Sequence, residues 1–245
     1  MTYCIAMRLD EGLVFLSDTR TNAGVDNVSS YRKLHVFRPA PDRLFVLQSA
    51  GNLAATQQVL DRIEQDLARA EPAGLATVEH LFEAALYVGR LGTEVADEHR
   101  EALSRVGAAG TASFILGGQI AGTRPDIFLV YPEGNYIRAS DERPFLQIGE
   151  TKFGKLVLDL AVEAHVDMRA ATKVAVSSMI STSRANLSVG PPYDLAWYRD
   201  GSLELEEGRI EADSPLLSEI QRRWTEHLLV GLAELPDVGP TDIVS

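Results

Sequence analysis

Over the first 50 residues, short apolar runs alternate with turn signals, and this pattern predicts strands at 3–9, 13–17, 31–37 and 44–48. The turns Asp10-Glu11-Gly12 and Pro39-Ala40-Pro41-Asp42 are too short for the crossovers that parallel pairs need, so these strands pair antiparallel. From Asn52 to Ala70 the period becomes helical, with Leu60, Ile63 and Leu67 on one stripe, and a second helical pattern runs from Thr77 to Ser104. The cycle then repeats. After Gly107-Ala108-Ala109-Gly110 come strands at 113–119, 126–131, 136–139 and 145–148, followed by helices at 152–165 and 169–184. The first of these two helices carries Leu156, Val157, Leu158, Leu160 and Val162 and reads as largely buried. Beyond Gly190-Pro191-Pro192, residues 195–198 and 202–206 form a hairpin about Arg199-Asp200-Gly201. A last helix starts at Ser214, which can accept a hydrogen bond from a first-turn N–H, with Pro215 pre-set for the first helical position. Its apolar stripe is Leu216, Ile220, Trp224 and Leu228, and a loose tail follows from Pro236.

Runs of strands followed by runs of helices, twice over, point to an α+β fold in which two antiparallel sheets stack and helices cover their outer faces. No repeat of fixed period and no low-complexity linker interrupts the chain. A single domain over 1–245 is expected, with 211–245 as a C-terminal helix and tail.

Composition narrows the partners. Hydrophobic residues at 45% and charged residues at 24% are those of an ordinary globular protein. With 23 Lys+Arg against 35 Asp+Glu the formal charge is −12, which argues against nucleic acid and anionic membranes as partners. No apolar stretch approaches the roughly 20 residues that span a bilayer, and the N-terminus lacks a secretory pattern, so a cytoplasmic location is expected. Cys4, the single cysteine, excludes an intrachain disulfide and lies in the run Cys4-Ile5-Ala6-Met7, where a buried, inert thiol is the expected state. His35, His80, His99, His165 and His227 are too scattered for an i, i+4 metal pair, so neither a metal nor a cofactor is expected. Gly117-Gly118 is followed by another strand, not by a phosphate-binding helix, and Gly-x-Ser-x-Gly is absent.

The chemistry that remains gathers at the N-terminus. Removal of Met1 would leave Thr2 with a hydroxyl and an α-amine on one residue. A hydroxyl needs a base beside it to act as a nucleophile, and an α-amine of ordinary pKa about 7.7–8.0 can be that base. If the first two strands pair through Asp10-Glu11-Gly12, Asp18 returns to the neighbourhood of Thr2, and Lys33 can reach the same end of the sheet. An ammonium there would lower the pKa of the attacking hydroxyl, with Asp18 orienting it. Arg20 would brace Asp18 or line the cleft. The alternative for the same residues is a surface ion pair at a sheet edge.

Thr2, Ser17-Asp18-Thr19-Arg20, Lys33 and Ser49-Ala50-Gly51-Asn52 resemble the proteasome β-subunit and HslV family of N-terminal nucleophile hydrolases. Further segments are similar to the bacterial proteasome-related family called Anbu, the ancestral β-subunit. These are Thr21-Asn22-Ala23-Gly24-Val25-Asp26, Tyr31-Arg32-Lys33, Ser49-Ala50-Gly51-Asn52-Leu53 and Asn186-Leu187-Ser188-Val189-Gly190-Pro191-Pro192. The likeness implies a four-layer αββα sandwich. It implies Thr2 as nucleophile, its α-amine as proton acceptor through a water, Lys33 as the activating cation and Asp18 as its partner. Gly51 matches the glycine whose N–H binds the oxyanion, a type of contact worth about 2.7–4 kcal/mol. Leu53 falls where the family forms a substrate pocket.

Three departures touch the shell around the threonine amine. Glu150 stands where the family commonly has Ser, Ser183 where it has Asp, and Asn186 where it has a second Ser. Ser183, Asn186 or Ser188 would substitute through hydroxyl or amide hydrogen bonds that lack a charge. Lys33 also comes one residue earlier than usual. The resemblance implies a threonine-type peptidase or amide hydrolase acting on a peptide or amide substrate, in a self-assembling homo-oligomer. The assembly expected is an open or helical ring built from dimers, with the Trp224 helix a candidate contact; nothing in the chain speaks for or against an ATPase partner. The competing readings are a non-catalytic scaffold that retains the fold and an amidohydrolase of narrow specificity.

Overall fold

The computed structural model describes residues 1–22, 28–69 and 74–239. Ala23-Gly24-Val25-Asp26 of the motif at 21–26, Ala70 at the end of the first expected helix, and the tail from Pro240 lie outside the described residues. In chain order the elements are β1 (Tyr3–Leu9), β2 (Gly12–Asp18), β3 (Arg20–Asn22), β4 (Val28–Ser30), β5 (Leu34–Ala40) and β6 (Arg43–Gly51). Helices α1 (Leu53–Arg69) and α2 (Leu81–Arg105) follow, then β7 (Ala112–Ile120), β8 (Asp126–Val130), β9 (Tyr136–Arg138) and β10 (Phe145–Gly149). The chain continues through α3 (Lys155–Ala161), α4 (Met168–Ala185), β11 (Tyr193–Arg199), β12 (Leu205–Ile210) and α5 (Pro215–Ala233).

Two five-stranded sheets form, ordered β10-β1-β2-β11-β12 and β5-β6-β7-β8-β9, and their ladders are antiparallel. The alternation along β1 shows how the layers arise. Tyr3, Ile5 and Met7 face α3 and α4, whereas Cys4 and Ala6 face the second sheet together with Leu13, Phe15, Leu44 and Val46. On the far side of the second sheet, Phe45, Leu47, Phe114 and Leu116 pack under α1 and α2. Both faces of each sheet are therefore covered, which is why its central strands read as nearly unbroken apolar runs. The result is the four-layer αββα sandwich.

Several boundaries differ from expectation for physical reasons. β5 begins at Leu34, not 31, because Tyr31 N–H donates to Thr19 O at 2.9 Å and draws 31–33 toward the end of β2. α2 begins at Leu81, not Thr77, since His80 is extended and the Glu83 carboxylate accepts its N–H at 3.0 Å. The helix expected at 152–165 to be largely buried is only Lys155–Ala161. Leu158 is its one buried residue, and Leu156 and Leu160 are 66% and 77% exposed. It lies on α4 and shows most of its apolar surface to the outside, so counting apolar residues overstated its burial. In α5 the inward stripe is Leu217, Ile220 and Trp224, whereas Leu216 and Leu228 are exposed. The Trp224 indole N–H fixes this rotation by donating to Ser181 Oγ on α4 at 3.0 Å. No helix among the described residues is long and apolar enough to cross a membrane.

Candidate functional site

Pairing of Cys4 with Ser17 in the β1–β2 ladder sets Asp18 beside the start of β1, and Tyr3 N–H donates to Asp18 Oδ1 at 2.9 Å. The same oxygen accepts from Lys33 Nζ at 2.7 Å, so the ammonium and the amide of the residue after Thr2 share one acceptor. Gly190 N–H approaches the other oxygen at 3.3 Å. Asp18 is fully buried and the Lys33 side chain is 6% exposed. Burial pushes the Asp18 carboxyl upward, and the Lys33 ammonium, with the Tyr3 and Gly190 amides, pulls it back. This is a desolvated ion pair, not a pair at a wet sheet edge.

Lys33 is held along its whole length. Its carbonyl accepts from Ser49 N–H at 3.0 Å, which ties it to β6, and its ammonium also donates to Arg20 O at 2.7 Å. Arg20 itself makes no bond to Asp18. Its guanidinium donates to Leu187 O at 2.8 Å and covers Gly190, where an added Cβ would fall 2.3 Å from Arg20 Cζ. It thus braces the loop whose Gly190 N–H reaches Asp18. Tyr3 anchors the strand from the other side, its hydroxyl bonded to Ser178 Oγ at 2.7 Å and to Gln147. Burial pushes that phenol up to about 12.

Gly51 ends β6 with φ +120, and a Cβ there would lie 2.5 Å from Thr111 O. Ser49 N–H turns to Lys33 O, and Asn52 N–H turns the opposite way to Thr111 O at 3.1 Å. By the antiparallel alternation, Gly51 N–H points to the Lys33 side, past the first residue of β5. Leu53, two residues on, is half-buried in the first turn of α1, which Asn52 caps by accepting from Ala55 N–H at 3.1 Å. Thr2 stands one residue before β1 and is half-buried, and continued alternation of β1 would give it the face of Cys4 and Ala6. Met1 is 60% exposed. The Cys4 thiol is buried, and that burial raises its pKa, consistent with an inert thiol.

The shell around Thr2 contains contacts the sequence did not reveal. Glu150 N–H donates to Thr2 O at 2.7 Å, and Asn186 Nδ2 donates to Glu150 Oε2 at 3.0 Å. Two of the residues that depart from the family pattern therefore meet. Asn186 is oriented by its own Oδ1, which accepts from Ser188 N–H at 2.9 Å. Ser183 turns its hydroxyl back to Ile180 O at 3.0 Å within α4. The brace between Arg20 and Leu187 O, and the Tyr3–Ser178 contact, join residues more than 160 positions apart and leave no local signal. Among the described residues no group of three or more His, Cys, Asp or Glu is placed to hold a metal ion. The cavity of about 540 Å³ lined by Arg8, Asp10, Arg124 and Asp126 lies at the opposite end of β1 from Thr2.

Two stacked sheets with outer helices, and a threonine just before the first strand whose next amide binds a buried aspartate–lysine pair, define a proteasome β-subunit-like fold of the N-terminal nucleophile hydrolase class. Solved structures narrow this further. The chain is 40% identical to an Anbu Gly-1 mutant from Hyphomicrobium sp. strain MC1, with 98% of this chain and 100% of that one covered and a TM-score of 0.89. It is 40% identical to Anbu (ancestral beta-subunit) from Yersinia bercovieri, covering 97% and 100%, with a TM-score of 0.88. It is 41% identical to the subunit in the helical assembly of the Anbu complex from Pseudomonas aeruginosa, covering 98% and 99%, with a TM-score of 0.90. The chain belongs to the Anbu family. No family model and no curated protein matches it.

Proposed function

We propose that this chain, once Met1 is removed, is a threonine-type amide hydrolase that works in a homo-oligomer. Thr2 Oγ attacks a substrate carbonyl carbon and forms a C–O bond, the carbonyl π electrons move onto oxygen, and Gly51 N–H receives that oxyanion. The hydroxyl proton passes through a water to the α-amine of Thr2 and then to the leaving nitrogen as the C–N bond breaks. Water next adds to the resulting ester and releases the acid, returning the proton to Thr2. Lys33 lowers the energy of the developing alkoxide, Asp18 keeps Lys33 charged and aimed, and Leu53 borders the substrate pocket. Arg20 and the loop carrying Ser188 hold this frame.

The observation that carries the reading is the buried Lys33–Asp18 pair at 2.7 Å, whose shared oxygen also binds the amide next to Thr2. A buried ammonium tends to destabilise a fold unless it is paired, and a partner that also binds the amide after Thr2 supports a chemical use for it. Helical assembly, named for the Pseudomonas aeruginosa protein, extends to this chain by its 41% identity. The test is intact mass spectrometry of matured protein with and without a threonine-directed electrophile. Loss of Met1 and a single adduct, abolished by Thr2→Ala, are expected. A matured, folded assembly that takes no adduct would overturn the hydrolase reading and favour a scaffold.

A further inference from the structure

Glu150 follows Gly149, the last residue of β10, and its N–H donates to Thr2 O at 2.7 Å just beyond the Tyr3↔Gly149 pair. This bond holds the two residues next to one another. Gly149 makes this approach possible. It has φ +86, and a Cβ in its place would fall 1.9 Å from Thr2 O. The Glu150 side chain is half-buried, and Asn186, at the C-terminal cap of α4, donates to Oε2 at 3.0 Å. Because Asn186 Oδ1 already accepts from Ser188 N–H, the amide presents its NH2 to the carboxylate and not its oxygen. This partner is neutral, and no ion pair joins Glu150 to a cation among the described residues.

A half-buried carboxylate held by a neutral amide is stabilised by any cation that arises next to it. Removal of Met1 creates one, the α-ammonium of Thr2. We propose that Glu150, steadied by Asn186, is the counter-ion of that ammonium and the positioning residue that fixes the amine beside the Thr2 hydroxyl. This rests on the reading above only in that Thr2 must be freed. The other charged groups around the amine leave the role open. From β2 comes Asp18 and from the segment before β5 comes Lys33, and these two neutralise one another. From β3, Arg20 is engaged by Leu187 O, and from the end of α4, Arg184 donates to Thr225 on α5. Lys152, two residues after Glu150, is exposed, and the Tyr3 and Tyr193 phenols are buried with raised pKa.

A carboxylate so placed holds the amine protonated to higher pH, and the amine serves as a base only when neutral. Its midpoint is expected about one unit above the ordinary range of about 7.7–8.0. Attack by Thr2 then rises with pH through that midpoint. Glu150→Gln keeps the shape and still accepts from Asn186, so it removes the charge alone. Its midpoint should fall by about one unit, which gives up to about tenfold more neutral amine at pH near 7. Asn186→Ala frees the carboxylate to swing away and should move the midpoint the same way by less.

The test is competitive acetylation of the Thr2 amine by acetic anhydride across neutral to alkaline pH, on Met1-free protein, with the site read by mass spectrometry. It measures the amine directly and needs no turnover. A raised midpoint that drops in Glu150→Gln, and in Asn186→Ala should the first variant fold poorly, supports the pairing. The same midpoint in parent and variant overturns it. In parallel, the rate of electrophile adduct formation is followed against pH. A shifted midpoint with no adduct at any pH leaves the ion pair standing and removes the hydrolase reading. An adduct whose pH profile ignores Glu150→Gln removes the proposal alone.

Discussion

Lys33→Met is the most direct probe of the buried pair. It keeps the length and apolar stem of the side chain and removes only the ammonium, so packing at a side chain 6% exposed is preserved. What remains is a carboxylate with no accessible surface, still accepting from Tyr3 N–H at 2.9 Å and more weakly from Gly190 N–H at 3.3 Å. Breaking one side of a buried pair destabilises by about 3–5 kcal/mol. The two retained amides place the loss near the lower end, about 3 kcal/mol. Asp18→Asn should be milder. The new carboxamide oxygen can still accept from Tyr3 and Lys33, but its NH2 is set against Gly190 N–H. The double variant should lose about 2 kcal/mol less than the two single losses added together, because it leaves no charge unpaired. Urea unfolding followed by the emission of Trp197 and Trp224, at one protomer concentration, reads all three. A loss near 3 kcal/mol moves the midpoint by about 1 M or somewhat more. The pH dependence has a definite sign. With Lys33 gone, Asp18 in the folded chain has a pKa above its unfolded value. The penalty therefore grows as pH rises from the unfolded pKa through the folded one, and shrinks on acidification. Parent-like stability of Lys33→Met at neutral pH, or strict additivity in the double variant, would refute the reasoning.

Two further outcomes follow from contacts around the site and on the outer layer. The Tyr3 phenol, pushed up to about 12 by burial, stays protonated in the folded chain while the unfolded chain ionises near 10, so stability holds below pH 10 and is lost as pH rises toward 12. Tyr3→Phe should remove a share of that alkaline loss on the order of 2–3 kcal/mol, measured as the difference between parent and variant denaturation curves at two alkaline pH values; parallel curves would contradict it. On α5, Leu228, Leu229 and Leu232 are 50%, 61% and 65% exposed, an apolar surface of the kind that marks association. Leu228→Glu with Leu232→Glu should lower the sedimentation coefficient of the assembly while leaving the helical circular dichroism unchanged, and an unchanged coefficient would remove α5 from the interface.

The layers and most of the ladder were legible because both rest on local periodicity. Tyr3–Leu9 matches the expected strand residue for residue, and the turn at Asp10-Glu11-Gly12 is short enough to fix which strand pairs with it. That pairing alone places Asp18 at the start of β1. α3 failed for the opposite reason. Its composition is that of a buried helix, but burial depends on what covers it, and a helix in the outermost layer has a covered side only toward α4. α5 shows the same limit, since Leu216 and Leu217 are adjacent and only contact with Ser181 and the core decides which turns inward. Lys33 was legible as a type and a spacing, whereas the turn that carries it to Asp18 depends on Tyr31 binding Thr19 O, a contact with no sequence signature.

The amine shell was the least legible part, and residue-by-residue comparison made it look more depleted than it is. The resemblance commonly puts a carboxylate at the position of Ser183 and a hydroxyl at that of Glu150; this chain has the hydroxyl on α4 and the carboxylate after β10. Taken singly, each change removes a functional group from its usual place. Taken together, they exchange the two groups across the same end of the sandwich, where Thr2 O and Glu150 N–H are 2.7 Å apart. The remaining change fits the exchange, because Asn186 donates an N–H to a carboxylate, and a serine in its place, with a shorter reach and one proton, would have to span the 3.0 Å contact from further back. The Glu150 carboxylate belongs to the residue whose N–H holds Thr2 O, so fraying at the start of β1 would displace the Thr2 hydroxyl and that carboxylate together. Such coupling preserves their mutual geometry better than a carboxylate carried on a separate helix.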